Sequence, residues 1–206
     1  MVNQQLDCYS CWLNTLLITF NNSNAMTLNG YGSARILYPD ELDELIDSIP
    51  YSSHKVLATV LRFTGARCTE VAKSKWKNYN GKILMLPKPD TKTNKTRPLP
   101  IKERLKLELD LWKQHTKPES DEEFIFKGRF PNSHLKRQSF DKALRKYSPF
   151  GDIATHTFRR SVLTEMKRQG IPLDVICKIS GHSNIRTLEF YLGVSEQDLH
   201  AAVGVL

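Results

Sequence analysis

The stretch that decides the fold is residues 155–194, THTFRRSVLTEMKRQGIPLDVICKISGHSNIRTLEFYLGV, in which glycine and proline separate apolar helical runs. The spacing of apolar residues predicts three helices, which are 156–169, Pro172–Ser180 and a third that starts after Ser183 or Asn184 and carries Tyr191. Gly170 and Gly181 follow the first two helices, where a left-handed glycine commonly ends a helix. This part of the chain is therefore predicted to be helical throughout.

The sequence upstream of this stretch predicts further helices and a few short strands. The same periodicity predicts helices that start at Pro39, after Ser52 or Ser53 with an end at Gly65, at 102–115 and at 135–147. Strands are predicted at Lys75–Tyr79, Lys82–Leu86 and Thr96–Ile101, and the polar loop Lys88–Lys95 joins the last two. The expected fold class is α+β, mostly helical, with a small three-stranded antiparallel sheet.

Composition divides the chain into three segments. Residues 1–36 are rich in Asn, Ser and Thr and contain one acid, Asp7, and one base, Arg35, which is typical of an extension or linker. Residues 37–195 are predicted to form the one full domain, since 206 residues are too few for two of ordinary size. Residues 196–206 are predicted to be a C-terminal helix or tail, and their small apolar face would stabilise little alone.

Charge and cysteine content limit the class of protein. Lys and Arg number 30 against 22 Asp and Glu, so the net charge of +8 favours a polyanionic partner. The four cysteines show no disulfide framework, which indicates a reducing cytoplasm. Cys8 and Cys11 are only half of a zinc site, so no metal is expected. The apolar run 11–20 is too short to span a bilayer, and nothing indicates a membrane or export.

Several side chains are candidates for chemistry. His156 and Arg159 are three residues apart, so they share a helix face and can reach one phosphate, although such a pair is usually a solvated face. Arg67 follows a helix-ending glycine. A cation at this position could also serve only to interact with the negative end of the helix dipole. His182 alone could cap a helix, and Tyr191 alone could be a core aromatic residue. The pattern as a whole separates these interpretations.

The combined pattern resembles the tyrosine recombinases, the phage-integrase family, over about residues 37–203. His156, Arg159 and Arg160 match the family's H-x-x-R-R helix, and SGHSNIRTLEFY matches its Gly-His and Thr-x-x-x-Tyr signature. TGARCTEVAKSKW resembles the family block that holds the first catalytic arginine, and PDTKTNKTRPLPI resembles its lysine hairpin. These motifs are specific as a set.

The resemblance assigns a role to each of these residues. It implies that Arg67 and Arg159 bind the nonbridging phosphate oxygens, that His182 adds a third hydrogen bond and that Tyr191 is the nucleophile. His156 becomes the base or proton relay, and Lys92 the general acid, with Lys95 as the next candidate. Glu70 is expected to support Arg67. The residues expected to bind DNA are Lys88, Lys95, Arg97 and Arg160.

The function implied is that of a site-specific DNA recombinase or integrase from a phage or other mobile element. Such an enzyme cleaves and rejoins DNA through a 3′-phosphotyrosine and uses no metal, ATP or other cofactor. The expected partners are double-stranded DNA, other copies of the chain and accessory DNA-bending proteins. By the same resemblance, residues 196–206 would link protomers in a tetramer on DNA, with mostly monomer in solution. The expected location is the cytoplasm of a prokaryote or virus-infected cell, at the nucleoid.

Three alternatives stay open from the sequence. Only about 36 residues precede the predicted catalytic domain where most members of the family have a helical core-binding domain, so the chain is either a minimal recombinase or a truncated inactive relic. A type IB topoisomerase shares the arginine, lysine, histidine and tyrosine chemistry. A non-catalytic DNA-binding regulator would use residues 170–187 as a helix-turn-helix.

Overall fold

The computed structural model describes residues 34–87, 96–151, 153–193 and 203–204. The elements below belong to one unit bounded by Asn29 and Gly193. Its helices, α1 to α8 in chain order, are Pro39–Ser48, Ser53–Thr64, Cys68–Ala72, Glu103–Thr116, Arg137–Tyr147, Thr155–Arg168, Leu173–Ser180 and Ile185–Glu189. The strands are β1, Ile83–Leu86, and β2, Arg97–Pro100.

The helix ends follow local chemistry, and most of them were predicted. Pro39 opens α1, and Glu41 in its first turn accepts a hydrogen bond from the Tyr38 backbone N–H at 2.7 Å. Ser52 precedes α2, and Gly65 ends it in the left-handed conformation with φ of 60°. Gly181 ends α7 in the same way, with φ of 71°. The predicted ends of these helices are confirmed.

The main core lies between α2 and α6. Val56, Leu57 and Val60 of α2 and Phe158 of α6 are fully buried in one apolar cluster. Gly65 faces α6, and an added Cβ would lie 3.1 Å from Val162 Cγ1. Its positive φ favours glycine at this position, and its carbonyl accepts a hydrogen bond from Arg159 of α6.

The sheet has two strands within the described residues instead of the predicted three. β1 and β2 pair antiparallel, with Leu84 opposite Leu99. The predicted strand at Lys75–Tyr79 is wrong, since Trp76–Asn78 forms a 3₁₀ turn flanked by single bridges. The Asn78 side chain accepts a hydrogen bond from the Lys75 backbone N–H at 2.8 Å, which curls the chain.

Helix α8 ends before Tyr191, which was predicted to lie within it. Asn184 caps the helix through a 2.8 Å hydrogen bond from the Thr187 N–H, as expected, but the last helical residue is Glu189. The Gly193 N–H then donates to Thr164 Oγ1 of α6 at 3.1 Å. This tertiary contact draws the chain out of the helical path, and Tyr191 is presented from a turn.

The two ends of the chain lie largely outside the described residues. This applies to the paired cysteines Cys8 and Cys11, to most of the predicted extension and to nearly all of the predicted tail, so these assignments stay predictions. Among the helices that the structure describes, none combines the length and apolar character needed to cross a membrane.

Candidate active site

Arg159 of α6 is the buried centre of the site, with 2% of its surface exposed. One terminal nitrogen donates to the Gly65 carbonyl at 3.0 Å and the other to the Ser180 carbonyl at 2.9 Å, so three segments meet at this side chain. Burial lowers the pKa of Arg159, and the charge of Arg67 lowers it further, although a guanidinium stays protonated in proteins. The Arg159 Nε–H is buried without a hydrogen-bond partner in the described residues, which is costly unless a ligand occupies the site.

Arg67 is the exposed partner of Arg159 and lies just before α3. Its guanidinium donates to Glu70 Oε1 at 3.0 Å and reaches the Gly181 carbonyl at 3.4 Å, while 38% of the side chain stays exposed. The expected contact with Glu70 is present. Glu70 and the Gly181 carbonyl thus fix the position of the Arg67 guanidinium, and its solvent-exposed part remains available to an anion.

Arg97 of β2 binds the second oxygen of the same carboxylate. Its Nη2 lies 2.7 Å from Glu70 Oε2, and its Nη1 donates to the Ile179 carbonyl at the end of α7. Arg97 was predicted to contact DNA, and this stays a prediction, while in the structure its fork is held by these two protein partners. It connects the strand that follows the lysine loop to Glu70 and to α7.

Arg160 is the other arginine that was predicted to contact DNA, and this also stays a prediction. Only 2% of its surface is exposed, and its guanidinium donates to the backbone carbonyls of Ala34 and Tyr191. Its contacts hold the segment before α1 and the turn of Tyr191 onto α6.

His182 and Tyr191 pack directly on the buried arginine. The Arg159 guanidinium carbon lies 5.3 Å from the centre of the Tyr191 ring, a cation–π distance. The His182 ring is 4.8 Å from the Tyr191 ring, and His182 Nε2 is 3.0 Å from Arg159 Nη2. Burial, followed by the charges of Arg159, Arg67 and Arg97, lowers the pKa of His182 to about 3. His182 is therefore neutral at pH 7.

His156 stands on the solvent side of the site. Its ring centre is 6.3 Å from that of Tyr191, and the side chain is exposed. Partial desolvation, followed by the charges of Arg137 and Arg159, lowers the pKa of His156, and Asp141 opposes this. A neutral imidazole at pH 7 is able to accept a proton.

A pocket of about 210 Å³ opens beside Arg67, His156 and Arg159. Its lining residues are Ala66, Arg67, Cys68, Thr69, Arg137, Thr155, His156 and Arg159. The predicted sharing of one surface by His156 and Arg159 is confirmed, since both line it. Three arginines and a histidine around one opening create a positive potential suited to a phosphate.

Arg137 is the site residue that the sequence did not reveal. It begins α5, and its Nε lies 3.3 Å from Asp141 Oδ2, while Asp141 Oδ1 accepts the Thr155 N–H at 3.0 Å. The i,i+4 spacing of Arg137 and Asp141 was visible, but such pairs are common on solvated helices. The orientation toward the pocket arises only when α5 packs on α6.

The three candidate lysines lie outside the described residues. Lys88, Lys92 and Lys95 belong to the segment that joins β1 to β2. The choice between Lys92 and Lys95 as general acid therefore stays a prediction.

Comparisons with known proteins agree with this geometry. The model of the phage integrase family matches residues 35–198. The tyrosine recombinase XerA of Pyrococcus horikoshii is 25% identical over 169 residues, which cover 81% of this chain and 59% of that protein. The prophage integrase IntA of Escherichia coli is 26% identical over 145 residues, which cover 67% of this chain and 34% of that protein. The chain thus spans about three fifths of the length of the XerA relative.

Solved structures share the fold. A crystal structure of XerA recombinase superposes with a TM-score of 0.70 at 18% identity and covers 83% of this chain and 63% of its own. The catalytic domain of bacteriophage HP1 integrase has a TM-score of 0.57 at 21% identity, covering 84% of this chain and 95% of that domain. Since the family model covers most of its length, the chain belongs to the phage integrase family.

Proposed function

We propose that this chain carries the catalytic domain of a site-specific DNA recombinase or integrase, which cleaves and rejoins double-stranded DNA through a 3′-phosphotyrosine. The observation that carries the proposal is the grouping of Tyr191 with the buried Arg159 and with the rings of His156 and His182. A tyrosine held between a phosphate-binding arginine and two imidazoles is suited to nucleophilic attack.

Phosphate binding is the first step of the proposed reaction. The nonbridging oxygens gain charge in the transition state, so Arg159 and Arg67 would hold them from two sides of the pocket. The unpartnered Nε–H of Arg159 supports this role, since an oxygen of the phosphate would satisfy it. Glu70 and Arg97 keep Arg67 in place behind the pocket.

The attack requires removal of the tyrosine proton. A tyrosine in water has a pKa of about 10, so a base is needed at neutral pH. We assign this role to His156, whose lowered pKa leaves it unprotonated. The two ring centres are 6.3 Å apart, so the transfer would occur through one bridging water or after closer approach on DNA.

Departure of the 5′ oxygen completes cleavage. As Tyr191 Oη bonds to phosphorus, the bond from phosphorus to the 5′ oxygen breaks, and Lys92 gives that oxygen a proton. The reverse reaction, with a 5′ hydroxyl from another strand, releases the tyrosine and restores the phosphodiester. No external energy source is needed, because the phosphotyrosine keeps the energy of the broken ester.

The partners follow from the same proposal. Double-stranded DNA would be the substrate, and a solved relative with TM-score 0.67, XerH recombinase, was crystallised on its palindromic difH site. Assembly as a tetramer on DNA, with help from DNA-bending proteins, remains part of the proposal, as does action at the nucleoid. Cleavage is expected to be limited to one specific site.

The experiment that tests this function uses nicked duplexes of random sequence. A nick a few nucleotides to the 3′ side of the scissile phosphate lets the short fragment that carries the new 5′ hydroxyl diffuse away, so any enzyme that cleaves stays covalently attached. Protein–DNA adducts are isolated on denaturing gels in excess EDTA, and the attached DNA is sequenced. Adducts that share a sequence support the proposal, whereas the absence of any adduct over a saturating library overturns it.

The alternatives correspond to different outcomes of this experiment. A regulator or an inactive relic would bind DNA without forming an adduct. A topoisomerase would form adducts with little sequence preference and relax supercoiled plasmid without exchanging strands. The regulator is also disfavoured by the helix at residues 185–189, which is one turn long and offers little surface to a DNA groove.

Lys92 is tested with a substrate whose leaving oxygen is sulfur. A thiolate departs without a proton, so Lys92→Ala should be slow on normal DNA and close to wild type on a 5′-phosphorothiolate. Single-turnover cleavage rates on the selected nicked duplex provide the measurement. If the sulfur substrate rescues Lys95→Ala and not Lys92→Ala, Lys95 is the general acid. If it rescues neither variant, the general acid lies outside this loop.

Arg137 is tested as a phosphate ligand. Arg137→Gln should weaken DNA binding. It should also reduce the slope of the logarithm of the binding constant against the logarithm of the salt concentration by about one, since one phosphate contact is lost. It should also raise the pKa of His156, because the Arg137 charge lowers it, and NMR titration would report this. Arg145→Gln, on the same helix and exposed, is the matched control. An unchanged salt dependence in Arg137→Gln would contradict this role.

A further inference from the structure

Ser180 is a buried hydroxyl in the site to which no role has been given. It is the last residue of α7 and is fully buried. Its Oγ lies 2.7 Å from His182 Nδ1 and 3.3 Å from the Cys177 carbonyl. A serine hydroxyl both donates and accepts, so its partner on each side depends on where the proton points.

The contacts of His182 fix its proton in the DNA-free state. Arg159 Nη2 is only a donor, so His182 Nε2 must accept its hydrogen bond. A neutral ring then carries its proton on Nδ1 and donates it to Ser180 Oγ, while the Ser180 hydroxyl donates to Cys177. The surrounding Arg159, Arg67 and Arg97 keep the ring from a second proton.

This arrangement does not suit the role that the family resemblance implies for His182, a hydrogen bond to a nonbridging phosphate oxygen. To stabilise a nonbridging oxygen, the ring must present an N–H at Nε2, the nitrogen that faces Arg159. When the phosphate takes over the Arg159 hydrogen bond, Nε2 is released. A proton on Nε2 without ionisation requires that Nδ1 become an acceptor, and Ser180 Oγ is the group in contact with Nδ1.

We propose that Ser180 is a tautomer switch for His182. In the free site Ser180 accepts from Nδ1–H, and in the DNA-bound site its hydroxyl rotates away from Cys177 and donates to Nδ1, which stabilises the Nε2–H form. One proton leaves Nδ1 for water and one arrives at Nε2 from water while the site is open, so the ring stays neutral. The inference rests on the proposed function, because it needs a phosphate in the site.

The groups that face His182 favour a neutral switch over ionisation. Arg159 comes from α6, Arg67 from the start of α3 and Arg97 from β2, and their charges all oppose an imidazolium. The Tyr191 ring covers the other side at 4.8 Å and carries no positive charge. A change of tautomer supplies the needed donor without placing a fourth cation in the cluster.

The first test observes the tautomer directly and needs no DNA site. In protein with ¹⁵N-labelled histidine, the two ring nitrogens of His182 report by NMR which one is protonated. The proton is expected on Nδ1 in the free protein and on Nε2 after saturation with inorganic phosphate. The same tautomer in both samples, or a doubly protonated ring with phosphate, overturns the proposal. This result is independent of whether the chain cleaves DNA.

The second test uses variants on the nicked duplex selected above. Ser180→Ala should slow single-turnover cleavage about 10-fold to 30-fold, since Nδ1 is left buried without a donor, and DNA affinity should change little. Ser180→Thr, which keeps the hydroxyl, should restore most of the rate.

Ser161→Ala is the matched control for losing a buried hydroxyl. Ser161 is a buried residue of α6 whose Oγ accepts a hydrogen bond from the Leu37 N–H at 2.8 Å. It does not contact His182. Ser161→Ala should lower the melting temperature without slowing cleavage. If Ser180→Ala folds and cleaves at the wild-type rate, or if Ser180→Thr folds and stays as slow as Ser180→Ala, Ser180 only packs the site and is not a switch. Loss of all adduct in the wild type would instead reject the recombinase proposal.

Discussion

Tyr191→Phe is expected to abolish the covalent DNA adduct while leaving DNA affinity within about twofold of wild type. The substitution removes one oxygen and keeps the ring that packs under Arg159 and against His182. The backbone carbonyl of residue 191, which accepts from Arg160, is unaffected. Loss of a nucleophile typically reduces turnover by about 10⁴-fold or more. Adduct on denaturing gels and binding by fluorescence anisotropy give the two measurements.

Tyr147→Phe provides the matched control. It makes the same chemical change at a partly buried tyrosine on α5 and should leave adduct formation unchanged. Adduct from Tyr191→Phe at the wild-type rate would move the nucleophile to another residue. Loss of affinity together with loss of adduct would mean that the substitution disturbed the site more widely.

Arg159→Ala is expected to have the second largest effect, a loss of about 10³-fold in the rate of cleavage. A preorganised donor at a developing negative charge is worth about 10²-fold to 10³-fold, and Arg159 also holds the Gly65 and Ser180 carbonyls that shape the site. The rate should remain low on the 5′-phosphorothiolate, because stabilisation of the nonbridging oxygens does not depend on the leaving atom.

Arg159→Lys separates charge from geometry. It keeps the positive charge but cannot bridge two carbonyls and a phosphate with one planar fork, so it should be nearly as slow as Arg159→Ala. Thermal unfolding monitored by circular dichroism shows whether each variant is folded. A folded Arg159→Lys with wild-type cleavage would show that charge alone suffices and that the fork is unnecessary.

The parts of the fold that were predictable depend on local chemistry. Gly65 and Gly181 allowed two helix ends to be predicted, because few residues other than glycine adopt a positive φ. The predicted strand at Lys75–Tyr79 failed because an Asn78 side chain formed a local turn. The end of α8 was misplaced since the contact of Gly193 with α6 acts over a long sequence separation.

The site was predictable where spacing within one helix decides which residues meet. His156 and Arg159 share the pocket as their spacing required. The protein partners of Arg97 and Arg160 were not predictable. These partners, Glu70 and the carbonyls of Ala34 and Tyr191, come from distant segments, and no local pattern reveals them.

The two contacts of Arg160 give the domain a mechanical linkage. The Arg160 guanidinium donates to the backbone carbonyls of Ala34 and Tyr191. Ala34 lies just before α1, and Tyr191 is the proposed nucleophile. Ile36 reinforces this by packing so tightly on Gly193 that a Cβ there would lie 2.0 Å from its Cδ1. A displacement of the segment before α1 is therefore expected to shift the backbone that carries Tyr191.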